Sequence, residues 1–239
     1  MISILLTLFT FILTTTMAFA EFFQDISSII KNNKERLSYG ISVTDFDKDG
    51  QFEFVVTGFR HPNLALSYKK GYLEDVNIDE VFSDDIRSTI GVAACDIDND
   101  GFEELYFLNT DTYSGQKQYS DRLLDNENTI IDLFQIEKNL KSLNLTAGRS
   151  VVCVDRNGLG SYGFYVANYG GPTRYYELIN NQIIDKAPML NIDKITGGRA
   201  VVSGHIIGEQ MDIFAANERG PNFLYFNENG TFRNFAEKL

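Results

Sequence analysis

Two nine-residue stretches carry the densest chemistry in the chain: Asp45-Phe46-Asp47-Lys48-Asp49-Gly50-Gln51-Phe52-Glu53 and Asp96-Ile97-Asp98-Asn99-Asp100-Gly101-Phe102-Glu103-Glu104. Each puts carboxylates at positions 1, 3, 5 and 9 and a glycine at position 6. Four carboxylates this close repel one another unless a cation sits among them. Calcium takes about six to eight oxygen ligands, and glycine permits the tight turn that aims them inward. An EF-hand opens with the same pattern, but it needs Glu at position 12 and flanking helices. Position 12 is Val56 in one stretch and Phe107 in the other, and both flanks read as strands. Merely acidic turns would not match at position 9 and stand in register with a longer repeat.

That repeat sets the elements that must hold the loops. Glu53, Glu104, Gly163 and Asp212 are each followed by an apolar strand, and they stand 51, 59 and 49 residues apart. Upstream of each lies a glycine and a second apolar run: Gly40-Ile-Ser-Val, Gly91-Val-Ala-Ala, Gly148-Arg-Ser-Val-Val and Gly198-Arg-Ala-Val-Val. Downstream lie two more short strands about a polar turn, such as Lys70-Gly71 or Asn180-Asn181. Alternating apolar and polar residues around Asn and Gly turns are hairpin chemistry. Four strands in about 50 residues, repeated, describe the blades of a β-propeller. The expected fold is therefore all-β, with blades at 40–80, 90–136, 147–188 and 197–237. Insertions such as Thr110 to Ser120 are expected on rim loops. Glu21 to Ile26 resembles the last strand of a unit and is expected as an outer strand lent to another blade. Ser27 to Ser38 is expected as one short helix. Four blades are few for this fold, and a chain ending at Leu239 just after a repeat is expected to be part of a longer propeller.

The loops resemble the FG-GAP/VCBS repeats of integrin-α-type propellers. Longer stretches, IGVAACDIDNDGFEELYFLNTDTYSG, AGRSVVCVDRNGLGSYGFYVANYG and TGGRAVVSGHIIGEQMDIFAANERGPNFLYFNENGTF, resemble the cartilage acidic protein family over about residues 36–237. The resemblance implies a secreted, glycosylated, calcium-binding protein of matrix or cell surface. It implies side-chain ligands from Asp45, Asp47, Asp49 and Glu53, with the Gln51 carbonyl. The second set is Asp96, Asp98, Asp100 and Glu104, with the Phe102 carbonyl. Both loops have Glu at position 9, where integrin-type loops usually have Asp. A third copy keeps Asp155 and Asn157 but has Leu159 and Gly163 at ligand positions, so weak binding or none is expected. In the fourth, Gly204 to Asp212, only Glu209 and Asp212 could contribute, and no metal is expected.

The 239 residues are 44% hydrophobic, enough for a real core, and carry a net charge of −12, which argues against a nucleic-acid partner. Residues 1–20 read as a secretory signal peptide ending in Ala18-Phe19-Ala20, although its start lacks Lys and Arg; an uncleaved anchor is the other reading. No second segment could span a bilayer. On a secretory route, Asn144-Leu-Thr146 and Asn229-Gly-Thr231 are glycosylation sequons. Cys95 and Cys153 permit one disulfide, or are two small buried residues on strands.

Two function classes follow. A propeller enzyme acting on glycans would have to use His61, His205 or a carboxylate pair, and no Ser or Cys nucleophile pattern accompanies either histidine. A binding scaffold needs only exposed loops, with Tyr113, Tyr119, Tyr162 and Tyr169 as candidate anchors for an extracellular protein or receptor. The scaffold is the expected class.

Overall fold

The computed structural model describes residues 23–76 and 78–236. Residues 1–20, expected as a signal peptide, lie outside the described residues. The architecture is all-β and antiparallel. Sixteen strands form four consecutive meanders, each ordered as in the chain. The first is β1 (Ile41–Thr44), β2 (Glu53–Val56), β3 (Leu64–Lys69) and β4 (Tyr72–Asp75). The second is β5 (Thr89–Cys95), β6 (Glu104–Asn109), β7 (Arg122–Asn126) and β8 (Ile130–Asp132). The third is β9 (Gly148–Val154), β10 (Gly163–Pro172), β11 (Arg174–Ile179) and β12 (Gln182–Asp185). The fourth is β13 (Ile195–Gly204), β14 (Asp212–Asn217), β15 (Phe223–Glu228) and β16 (Thr231–Asn234). Glu53, Glu104, Gly163 and Asp212 are the first residues of the four second strands. The last two meanders share one eight-stranded sheet because β10 runs on to pair with β13 at Tyr169–Gly197 and Pro172–Ile195.

The core lies in three seams between successive meanders. Phe46, Val55, Phe82, Leu105 and Phe107 fill the first. Tyr106, Phe134, Phe164 and Tyr176 fill the second, where Tyr106 stacks on Tyr176 at 6.0 Å. Tyr165, Tyr175, Ile213 and Tyr225 fill the third. Burying a side chain of this size contributes roughly 2–3 kcal/mol. A meander covered on both faces needs apolar residues all along its central strand, and β6 is buried at every position. The first meander is covered on one face, so β2 alternates buried and exposed.

Cys95 on β5 and Cys153 on β9 form a disulfide, which ties the second meander to the third. The bridge closes a loop spanning 58 residues.

Ser27 to Ser38 is not one helix. Only Ser27–Ile29 forms a 3-10 turn, and Ile30 then bridges Leu73 in parallel along the free edge of β4. The expected strand from Glu21 to Ile26 falls partly outside the described residues, and 23–26 are not in a strand. The backbone hydrogen bond from Lys31 N–H to the Leu73 carbonyl makes that edge contact instead, at 2.8 Å.

Candidate metal centre

Each acidic stretch is the turn between the first and second strands of a meander. Position 2 pins it: Phe46 and Ile97 are 2% and 1% exposed, plugged into the seams. Positions 4 and 6 take positive φ, at Lys48 (59°) and Gly50 (87°) in one turn and Asn99 (67°) and Gly101 (92°) in the other. That backbone turns amide hydrogens inward. Gly50 N–H donates to Asp45 Oδ2 at 3.0 Å, and Gly101 N–H donates to Asp96 Oδ2 at 2.9 Å. Position 9 closes the turn: Phe46 N–H donates to Glu53 Oε2 at 3.1 Å, and Ile97 N–H to Glu104 Oε2 at 2.8 Å.

Positions 1, 3 and 9 converge in both turns. Oxygens of Asp45, Asp47 and Glu53 lie within 4.8 Å of one another, and so do those of Asp96, Asp98 and Glu104. Asp45 Oδ1 is buried and accepts no hydrogen bond, and the buried Glu53 Oε1 has only the hydroxyl of Ser67, opposite it on β3, within reach. Buried carboxylate oxygens without donors are costly. A hard cation would satisfy them, so the donor set fits calcium. The electrostatics agree. Burial, then the neighbouring Asp98, Asp125 and Asp100 charges, pushes Glu104 up to about 8, against the backbone donor that lowers it. Burial and the Asp47 charge raise Glu53.

Asp49 and Asp100 are outside the converging groups, and each accepts the N–H of position 7 instead, at 2.9 Å from Gln51 and 2.8 Å from Phe102. A third group, Asp98, Asp125 and Glu127, was not anticipated from the sequence.

The third turn keeps the shape and loses the charge. Gly158 and Gly160 take φ of 68° and 79°, and Gly160 N–H donates to Asp155 Oδ2 at 2.7 Å. Position 9 is Gly163, and a Cβ there would meet the Tyr175 hydroxyl at 2.7 Å. The phenol fills the side-chain space of the missing glutamate and donates to the Val154 carbonyl at 3.0 Å. Position 2 is Arg156, which pairs with Glu177 at 2.7 and 3.0 Å. Asn157 is exposed. In the fourth turn Glu209 is exposed, and the Asp212 oxygens are occupied by backbone donors: Ile207 N–H at 2.7 Å on Oδ2, Asn227 N–H at 2.8 Å on Oδ1.

Other candidate residues are redistributed. Asn144 is fully buried, and its side-chain amide donates to Asp121 at 2.6 Å and Asn168 at 3.0 Å, so the folded chain has no room for a glycan there. The sequon is real in sequence, but its asparagine belongs to a buried network with Lys117, Asp121 and Tyr106. Asn229 is exposed at the tip of the β15–β16 hairpin. Of the four tyrosines only Tyr113 is exposed, at 60%. Tyr169 is buried, Tyr119 lies under Arg87, and Tyr162 packs on the second seam. His61 and His205 are exposed, in the first and fourth meanders. Among the described residues no helix is long and apolar enough to cross a membrane.

Comparison with known proteins gives the chain its relatives. The FG-GAP-like repeat family matches residues 38–107, which contain both intact turns. The chain is 44% identical over 232 residues to cartilage acidic protein 1 of Xenopus tropicalis, covering 86% of this chain and 36% of that protein. It is 43% identical over 228 residues to cartilage acidic protein 1 of Homo sapiens, covering 84% and 34%. The resemblance carried by the long stretches thus holds over most of the chain, which is a homologue of these proteins and spans about a third of their length. Among solved structures, the V. cholerae biofilm matrix protein Bap1 aligns at a TM-score of 0.44 and 16% identity, covering 83% of this chain and 30% of that one. So loose a likeness carries no argument.

Proposed function

We propose that this chain is a calcium-stabilised β-propeller segment of an extracellular matrix or cell-surface protein, serving as a scaffold that binds another extracellular protein or receptor. The observation that carries the reading is the convergence of Asp45, Asp47 and Glu53, repeated at Asp96, Asp98 and Glu104. Each ion would be held by the carboxylates at positions 1, 3 and 9, with the position 7 carbonyls of Gln51 and Phe102 as further ligands. Asp49 and Asp100 would join through water or by turning inward. The ion ties the turn between two strands and removes the repulsion that otherwise strains it. The third and fourth turns hold no ion in this reading, since Arg156, Tyr175 and backbone donors have taken up the roles of metal and ligand.

The four meanders read as blades, supported by the FG-GAP-like match and the side-by-side seams. The extracellular location is carried over from the cartilage named in the relatives' description and from the disulfide, which suits an oxidising compartment. Asn229 is the sequon available to a glycan. The reading is non-enzymatic: the clustered carboxylates are assigned to calcium, and neither histidine makes a side-chain hydrogen bond among the described residues. Tyr113 is the exposed aromatic best placed to anchor a partner.

The test is a pair of thermal melts. Binding to the folded state alone stabilises it by RT ln(1 + [L]/Kd), about 2.7 kcal/mol per site when calcium is about 100 times Kd. Calcium is expected to raise the melting temperature over that in chelator, and Asp47→Ala to abolish part of the rise. Identical melts in calcium and chelator would falsify the reading.

A further inference from the structure

Asp125 sits on β7, one residue beyond the Leu105–Leu124 pair, and so lies beside Glu104 at position 9 of the second turn. It is 7% exposed, and among the described residues it accepts no hydrogen bond and has no ion-pair partner within 4.0 Å. Its carboxylate points at Asp98 and at Glu127 in the β7–β8 turn, with oxygens of all three within 4.8 Å of one another. The hairpin is anchored where it stands: Asn126 Nδ2 donates to the Phe46 carbonyl of the first turn at 2.6 Å.

The same place in the other meanders shows what a carboxylate there requires. In the first it is Ser67, opposite Glu53, and is uncharged. In the fourth it is Phe226, one residue beyond the Ile213–Tyr225 pair. In the third it is Glu177, one beyond the Phe164–Tyr176 pair, and there the chain supplies its own cation, Arg156, at 2.7 Å. The second meander has the carboxylate and two further carboxylates around it, and its arginine, Arg122 at the start of β7, is paired with Asp84 and Asp132 instead. Lys48 is the cation whose charge acts on Asp125, but its ammonium lies over the Phe102 ring, 3.9 Å from the centroid, and among the described residues it forms no ion pair with Asp125.

We propose that Asp98, Asp125 and Glu127 hold a further hard divalent cation of the calcium class, beside the ion of the second turn and sharing Asp98 with it. Asp98 belongs to both converging groups, and a carboxylate has two oxygens to divide between two ions. The third ion would lock the β7–β8 hairpin to the turn between β5 and β6, so that the outer and inner strands of the second meander respond to calcium as one body. The proposal rests on the calcium reading of the second turn.

Native mass spectrometry of the oxidised full chain in calcium counts the ions. Wild type is expected to bind three and Asp125→Asn two. Glu127→Gln, an exposed change that leaves packing intact, is expected to weaken the third ion at least tenfold by calorimetry. In chelator, Asp125→Asn is expected to melt above wild type, because it removes repulsion and no partner. Two ions on both wild type and Asp125→Asn overturns the further site and leaves the two-turn reading standing. Three ions on both puts the third elsewhere and also overturns it. An Asp125→Asn that melts lower in chelator makes Asp125 a structural partner of Lys48 and overturns it as well. No ion on wild type removes the reading beneath it.

Discussion

The second and third meanders carry the same turn and answer its electrostatics in opposite ways. Both backbones place a positive φ at positions 4 and 6, and both aim the glycine N–H of position 6 at the carboxylate of position 1. In the second, the turn and the neighbouring strand contribute Asp96, Asp98, Glu104 and Asp125, and the strand's arginine, Arg122, is paired with Asp84 and Asp132 instead. In the third, position 2 has changed from a buried apolar plug to Arg156, position 9 has lost its side chain, and Tyr175 has entered the space. A turn of this shape therefore does not require metal. It requires that its charge be balanced, by an ion from solution or by a guanidinium from the chain. Under the calcium proposal the first would make stability depend on the medium, and the second would not.

The largest expected effect tests whether the two halves are mechanically one. Cys95→Ala with Cys153→Ala removes the bridge between them, and closure of a 58-residue separation corresponds to about 4 kcal/mol of chain entropy. Chemical denaturation should show that loss, and the calcium-dependent part of the transition should separate from the rest if the seam alone does not hold the halves together. Next, Arg156→Ala strands Glu177, whose side chain is 15% exposed, and should cost about 3 kcal/mol. That loss is expected to be equal in calcium and in chelator. A loss seen only in calcium would mean the third turn binds an ion after all.

Glu104→Gln is the counterpart in the second meander. It removes a ligand, so in calcium it should cost about 2–3 kcal/mol. In chelator it should be neutral or stabilising, because Gln resembles the protonated acid that burial favours. Melts of the variant under both conditions check the crossover. The last effect is a proton. Glu104 is raised from 4.5 to about 8, so the metal-free folded chain holds a proton at pH 7 that the unfolded chain has released. The contribution is fully present below pH 4.5 and is lost as pH rises toward 8, so the chelated chain should grow less stable across that window. Calcium needs the carboxylate, and binding at pH 7 should expel the proton. Calcium titrations in two buffers of different ionisation enthalpy would read it, and no buffer dependence would mean that Glu104 is already ionised.

All-β character was legible because strands and turns write a local period: alternating residues, Asn and Gly at the reversals, and a spacing that restarts near 50 residues. The acidic turns were legible for the same reason, since positions 1 to 9 are neighbours in sequence. What was misread lay in partners far along the chain. Ser27 to Ser38 has the composition of a short helix, yet the edge of β4 offers Ile30 and Lys31 a better hydrogen-bonding partner than their own turn. Asn144 sits in a perfect sequon and is consumed by Asp121 and Asn168.

By itself, then, the sequence determined which residues could form turns rich in oxygen donors, and where the four strands of each repeat begin. Local spacing decides both. Which carboxylates converge, and which one meets a guanidinium, was decided only when strands from different parts of a meander came side by side. Asp125 is 21 residues beyond Glu104, and Arg156 is 21 residues before Glu177. Charge balance in a folded chain is a property of distances in space, and a β-meander brings together residues that the sequence keeps well apart.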